Sequence, residues 1–282
     1  MPQTDNGGRP AAPPRRRPRP YAATVAEVTA VTPYLTRVTL SGDDLASFRW
    51  PGPASHLKLF LPEPGQRDVE MPATDAEGFM ISVPGRPRPT TRTFTPRRWD
   101  EGKNQLELEF VLHGPGPASQ WALGAKPGDV VAVSQPRRTY ELLPGTRWLL
   151  VAGDESALPA IATLLEAISP DVKVQLLIEL EDTGHQVTLP DRADTITRWL
   201  TRSPGSRPGG SLLEAIQAWT PPAGNAGGPG QVWAACEAVA VRDIRAHLLG
   251  PLGFDRDHIL TRGYWRAGEV NHPDHDYGED AI

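Results

Sequence analysis

The chain has 282 residues, room for about two domains and a substantial core, and its formal charge is −5. Its 27 Gly and 31 Pro argue against a coiled coil or an all-helical bundle, and no apolar run is long enough to span a membrane. The single cysteine, Cys236, excludes an internal disulfide, so a reduced cytoplasmic setting is expected.

Residues 1–20 carry Arg9, Arg15, Arg16, Arg17 and Arg19 against Asp5, without apolar periodicity. They read as a disordered basic tail, and no apolar core follows the arginines as a secretory signal would require. All but four of the 29 basic residues are Arg, a compositional bias and not a nucleic-acid code. From residue 21 to about 140 apolar and polar positions alternate, at 24–28, 35–40, 56–61 and 105–111, as in half-buried strands. Turn clusters at 41–44, 62–65 and 101–104 separate them, which predicts a small antiparallel barrel or sandwich. A short helix at 118–123 interrupts it, and a last strand at 130–133 follows Pro127-Gly128.

After Pro144-Gly145 the pattern changes. Residues 148–152 form a continuous apolar run, as expected for a strand covered on both faces. A helix at 157–168 follows, with Asp154 or Ser156 as its N-cap. Strands at 172–180, 195–200, 231–236 and 258–263 alternate with helices at 211–219 and 239–249, predicting a parallel sheet in a three-layer α/β domain. The expected division is 1–20 tail, 21–144 first domain, 145–268 second domain and 269–282 acidic tail.

No catalytic triad, phosphate-binding Walker loop or metal-ligand spacing occurs, so no bound metal is expected. Three segments could carry chemistry. In Arg92-Thr93-Phe94-Thr95 a cation, a ring and hydroxyls suit a phosphate, a flat ring system and a ring nitrogen; the same residues also suit a plain strand. The Gly/Pro-rich run from His113 through Gly116, Ala118 and Ser119 to Trp121 offers backbone N–H groups to an anion, or is a simple loop. Gly153-Asp154-Glu155-Ser156-Ala157 lies at a strand's carboxyl end, where open α/β sheets bind ligands, yet lacks G-x-G-x-x-G and equally suits an ordinary capped helix start.

In this order, and together with Pro127-Gly128-Asp129 and Gly263-Tyr264-Trp265-Arg266, these motifs resemble the siderophore-interacting proteins. These are FAD-dependent ferric-siderophore reductases of the ferredoxin-reductase-like superfamily, and the resemblance covers about residues 21–268. It implies an N-terminal six-stranded antiparallel Greek-key FAD-binding barrel and a C-terminal three-layer α/β NAD(P)H-binding domain. It also implies that Arg92 pairs with the FAD phosphates, Phe94 packs on the flavin and Thr95 sits by flavin N5, with Thr93 and His113 in the same two cofactor segments. Gly116, Ala118 and Ser119 would face the pyrophosphate, with Trp121 buttressing their helix. Two positions depart from the family pattern: Phe94 stands where tyrosine is usual, and Gln135-Pro136-Arg137-Arg138 replaces a more usual G-P-R-G.

For NAD(P)H, Ser156 would face the pyrophosphate and Glu237 would end the strand that the nicotinamide approaches. Glu179 would suit a ribose hydroxyl, and Arg198 or Arg202 a 2′-phosphate. Siderophore iron is Fe(III) in hard oxygen ligands that hold Fe(II) far less tightly, so electron delivery releases it and no general acid or base is required. A basic pocket for the anionic ferric siderophore is expected at Lys58, Arg137 and Arg262. Rival readings are a general NAD(P)H-dependent flavin reductase, a flavoprotein fed by ferredoxin, and a siderophore-binding module without redox function. A monomer without nucleic-acid or membrane partners is expected.

Overall fold

The computed structural model describes residues 17–86, 89–112, 114, 116–222, 229–269 and 276. The period-two half becomes β1 (Tyr21–Thr32), β2 (Leu35–Ser41), β3 (Leu57–Leu61), β4 (Thr90–Phe94), β5 (Arg98–Asp100), β6 (Gln105–Val111) and β7 (Val130–Val133), with α1 (Pro117–Gly124) after β6. The strands form one antiparallel sheet in the order β4-β3-β7-β1-β2-β6-β5. Alternate residues face a single core, among them Val38, Leu40, Leu57, Leu59, Leu106, Leu108 and Phe110. Insertion of β7 between β3 and β1 gives the crossovers of a Greek key and not a meander.

Among the described residues this sheet has seven strands where six were expected, because Arg98–Asp100 is too short for a period to be read from sequence. It curls into a half-barrel whose edges are β4 and β5. Of the expected basic tail, residues 1–16 lie outside the described residues. Arg17 and Arg19 instead join the sheet's surroundings: Arg19 N–H donates to the Gly78 carbonyl at 2.8 Å, and the Arg17 carbonyl accepts from Met80 N–H at 2.7 Å.

The second half contains β8 (Trp148–Gly153), α2 (Leu158–Ala167), β9 (Lys173–Leu180), β10 (Thr195–Thr201), α3 (Gly210–Gln217), β11 (Gly230–Glu237), α4 (Ala238–Leu249) and β12 (Ile259–Trp265). All five strands are parallel, in the order β10-β9-β8-β11-β12. β8 and β11 are buried along their whole length because α2 covers one face of the sheet while α3 and α4 cover the other. The expected helix at 157–168 is divided: a 3-10 turn at Glu155–Ala157, held by the Asp154 side chain, leads into α2, whose first turn takes Pro159. Gly153 permits this tight strand-to-helix approach, since a Cβ there would lie 2.7 Å from the Ala157 methyl and 3.0 Å from the Ala235 carbonyl.

The two sheets are joined by specific contacts. Buried Ala54 N–H donates to Thr163 Oγ1 at 3.0 Å, and Arg97 forms two bonds to the Glu166 carboxylate at 2.9 and 3.0 Å. The Tyr34 ring stacks on His185 with centroids 3.9 Å apart.

Candidate functional site

The edge strand β4 carries the first candidate motif. Its register opposite β3 pairs Arg92 with Leu59, Phe94 with Leu57 and Thr93 with Lys58. Cross-strand partners share a face, so Arg92 and Phe94 lie on the core-facing side while Thr93 and Lys58 lie on the other. Phe94 packs on Phe110 of β6 at 4.4 Å, and Phe110 on Trp121 of α1 at 5.4 Å, so three rings line the seam where the curled sheet approaches itself. Trp121, expected to buttress α1, packs that helix on Phe110 of β6.

Arg92 is half-buried, and its guanidinium donates to the Thr91 carbonyl at 2.8 Å. Among the described residues no carboxylate pairs with it, and burial pulls its pKa below the ordinary arginine value. A desolvated cation without an acid is suited to an anion supplied from outside the chain. The N-terminus of α1 offers the matching donors. Gly116 is its N-cap, no side chain caps it, Pro117 fills the first turn, and a Cβ at Gly114 or Gly116 would meet open space. Gly114 has φ 54°, a left-handed conformation that glycine adopts without strain. Ser119 turns its hydroxyl inward to the Val111 carbonyl at 3.0 Å, leaving Ala118 and Ser119 in the helix's first turn. His113 lies outside the described residues. A desolvated arginine, a ring-lined seam and an uncapped helix start fit the phosphates and flat ring of FAD.

Thr95 follows β4, is buried at 7% exposure and lies beside the Tyr264 hydroxyl of β12. Burial raises the Tyr264 pKa. This contact brings the barrel motif to the carboxyl end of the parallel sheet. There Asp154, 1% exposed, ties three strands together. Its Oδ1 accepts from Ser156 N–H at 3.0 Å and Ser156 Oγ at 2.5 Å; its Oδ2 accepts from Glu237 N–H at 3.1 Å and Trp265 Nε1 at 2.8 Å. Burial pushes its pKa up to about 6, and the bonds from Ser156 and Trp265 pull the other way.

The residues expected to meet NAD(P)H are engaged internally. Ser156 faces Asp154, while the Glu237 carboxylate accepts from Val239 and Ala240 N–H at 2.7 and 3.1 Å and from Ala267 N–H at 3.3 Å. Glu179, expected to suit a ribose, is fully buried and accepts from Gly209 and Leu212 N–H and from Arg202 Nε. That contact removes it from a ligand's reach. Cys236 is also fully buried, and desolvation raises its thiol pKa well above the ordinary value.

Of the three expected siderophore contacts, Lys58 and Arg137 both belong to the antiparallel sheet. Lys58 Nζ donates to Thr93 Oγ1 of β4 at 2.7 Å, while Arg137 pairs through its backbone with His56, just before β3, on the side where β7 lies. Arg262 does not join them: it belongs to β12 in the other sheet and is only 5% exposed. The proximity of Tyr264 to Thr95 and the Asp154 junction are the features that motif reading passes over. The Asp at a strand end before a helix was their one local signal.

Residues 24–140 match the model of the siderophore-interacting FAD-binding domain, and residues 146–268 that of the siderophore-interacting protein. Ferric vibriobactin reductase ViuB of Vibrio cholerae is 31% identical over 243 residues, which cover 85% of this chain and 86% of that protein. NADPH-dependent ferric-chelate reductase of Escherichia coli is 33% identical over 180 residues, 63% of this chain and 69% of that one. A siderophore utilization protein from T. fusca has a crystal structure that aligns with a TM-score of 0.79 at 31% identity, covering 93% of this chain and 98% of that one.

Proposed function

Because the chain belongs to the siderophore-interacting protein family, we propose that it is an FAD-dependent ferric-siderophore reductase, drawing electrons from NAD(P)H and releasing Fe(II) in the cytoplasm. The observation that carries this reading is the convergence of a half-buried Arg92 with no acid partner among the described residues, the Phe94-Phe110-Trp121 seam and the glycine-capped start of α1. When bound, FAD supplies the conversion between a two-electron hydride donor and two one-electron ferric acceptors.

The chain's own residues bind and orient. Arg92 neutralises the diphosphate, and backbone N–H groups in the first turn of α1 bond its oxygens. Phe94 packs against the flat ring, keeping water from that face. Thr95, beside Tyr264 of the other sheet, presents a hydroxyl to the flavin. Lys58 and Arg137 attract the anionic chelate, with Thr93 holding the Lys58 ammonium in place. Electron transfer to iron moves no proton at the metal, so none of these side chains acts as an acid or base.

The test is anaerobic. Protein loaded with FAD is reduced by NADPH or NADH, then mixed with a ferric siderophore in the presence of an Fe(II) trap. Bleaching of the flavin followed by trapped Fe(II) is expected. A chain that takes up no FAD, or a reduced flavoprotein that leaves every ferric siderophore intact, overturns the reading.

A further inference from the structure

Ligands of open parallel sheets bind at the strands' carboxyl ends, where helix N-termini offer unpaired N–H groups to phosphate. In this chain its own carboxylates take donors in the turns after β8 and β9 and at the starts of α3 and α4, while α2 has no side-chain cap. After β8, Asp154 accepts from Ser156 N–H at 3.0 Å; after β9, Asp182 accepts from Gly184 N–H at 2.6 Å. At the start of α3, Glu179 accepts from Gly209 N–H at 2.6 Å and Leu212 N–H at 3.1 Å, and at the start of α4, Glu237 accepts from Val239 and Ala240. Glu155 adds another buried carboxylate, bonded to Glu181 N–H.

Cations at this end pair with carboxylates as well, Arg207 with Asp243 at 2.6 Å and Arg266 with Glu269 at 3.3 Å. Arg202 pairs with Glu179 at 3.0 Å and Glu155 at 3.7 Å. Arg198 sits in the middle of β10 opposite Leu177, away from the strand's carboxyl end. A diphosphate entering here meets anions already satisfied by the chain, where low polarity strengthens like-charge repulsion. The ring end of a donor meets a different surface, the hydroxyl pair Thr95–Tyr264 where the two sheets join.

We infer that the α/β domain recognises its electron donor by the dihydronicotinamide ring alone, the pyrophosphate and adenosine of a dinucleotide adding little. The inference rests on the nicotinamide-fed reductase reading and narrows its donor class to N-substituted dihydronicotinamides. The ring gives up a hydride, two electrons with one proton, and leaves as the oxidised pyridinium. The two electrons reduce two ferric ions and the proton passes to solvent.

Two measurements test it on the FAD-loaded protein: anaerobic stopped-flow reduction by reduced nicotinamide mononucleotide, NADH and NADPH, and calorimetric titration with 2′,5′-ADP. Second-order rate constants within about fivefold of one another are expected, with no binding heat from millimolar 2′,5′-ADP, because a phosphate-holding helix start would add roughly tenfold or more. A mononucleotide about 100-fold slower than NADPH, or 2′,5′-ADP binding that competes with NADPH, overturns the inference; either result implies about 2.7 kcal/mol or a saturable site for the adenylate half. Reduction by none of the three overturns the inference and the nicotinamide-fed reading together. Dithionite-reduced protein then separates the remainder: trapped Fe(II) keeps a reductase fed by another donor such as a ferredoxin, and intact chelate removes the reductase reading as well.

Discussion

The start of α1 in the half-barrel and the helix starts of the α/β sheet are the same backbone device put to opposite uses. At α1 the N-cap is Gly116, which brings no capping side chain, and half-buried Arg92 has no acid among the described residues. At α3 and α4 the chain supplies Glu179 and Glu237 as its own anions. An uncapped helix start sacrifices stability for binding, and a self-capped one does the reverse. A helix N-terminus therefore says nothing about ligands until its donors are traced to their acceptors.

The largest expected effect comes from making the open end resemble the closed ones. Gly116→Asp places a carboxylate at an N-cap with φ −63° and ψ 142°, where aspartate caps well. The apo-protein should gain up to about 1 kcal/mol in urea unfolding while FAD affinity, followed by flavin fluorescence, drops about 100-fold or more. An unchanged affinity would dissolve the contrast between the two regions.

The closed side is probed next through pH. The Asp154 pKa lies above its ordinary 3.8, at about 6, chiefly because of burial, with the neighbouring Glu155 charge adding to the rise and Ser156 and Trp265 opposing it. Cys236 and Tyr264 feel the same carboxylate, and Glu237 lies beside it through its backbone N–H. Since the folded value exceeds the unfolded one, ionised Asp154 costs stability at neutral pH, and that cost disappears as pH falls through 6 toward 4. Relative to Asp154→Asn, the wild type should gain about 1.4 kcal/mol in unfolding free energy between pH 7.5 and pH 5. A difference that stays flat with pH would show a carboxyl that titrates normally.

Arg92→Gln sharpens the open side by removing its charge and keeping a polar side chain. A loss of about 30-fold in FAD affinity is expected by titration of apo-protein, the size of one charge-assisted hydrogen bond, with little change in melting temperature. The smallest effect belongs to Phe94→Tyr, which restores the more usual ring. Stacking survives in both forms, so FAD affinity measured the same way should move by no more than about threefold.

Most elements are legible from periodicity because their burial is one-sided or complete. The alternation at 105–111 and the unbroken apolar run at 148–152 specify strands of two different kinds, and β6 and β8 are those strands. The open edge at β4 is not legible, since nothing local says whether a curled sheet meets itself. Within the site, Arg92 and Phe94 are visible as a motif because their chemistry lies within three residues of chain. Glu179 misleads for the opposite reason: at a strand's end it looks available to a ribose, and only the fold brings Gly209, 30 residues later, onto its carboxylate. Trp265 reaches Asp154 across 111 residues, a pairing that no local pattern encodes.

The seam between the two sheets carries a kinetic consequence. Ala54 to Thr163, the paired Arg97–Glu166 bonds and the Tyr34–His185 stack fasten it at separate points, one of them buried. Where the halves so fastened hold one spacing through turnover, a donor and a bulky iron chelate that both reach the flavin's edge take turns there. Steady-state rates measured at several fixed chelate concentrations should then give parallel double-reciprocal lines, the mark of a ping-pong cycle.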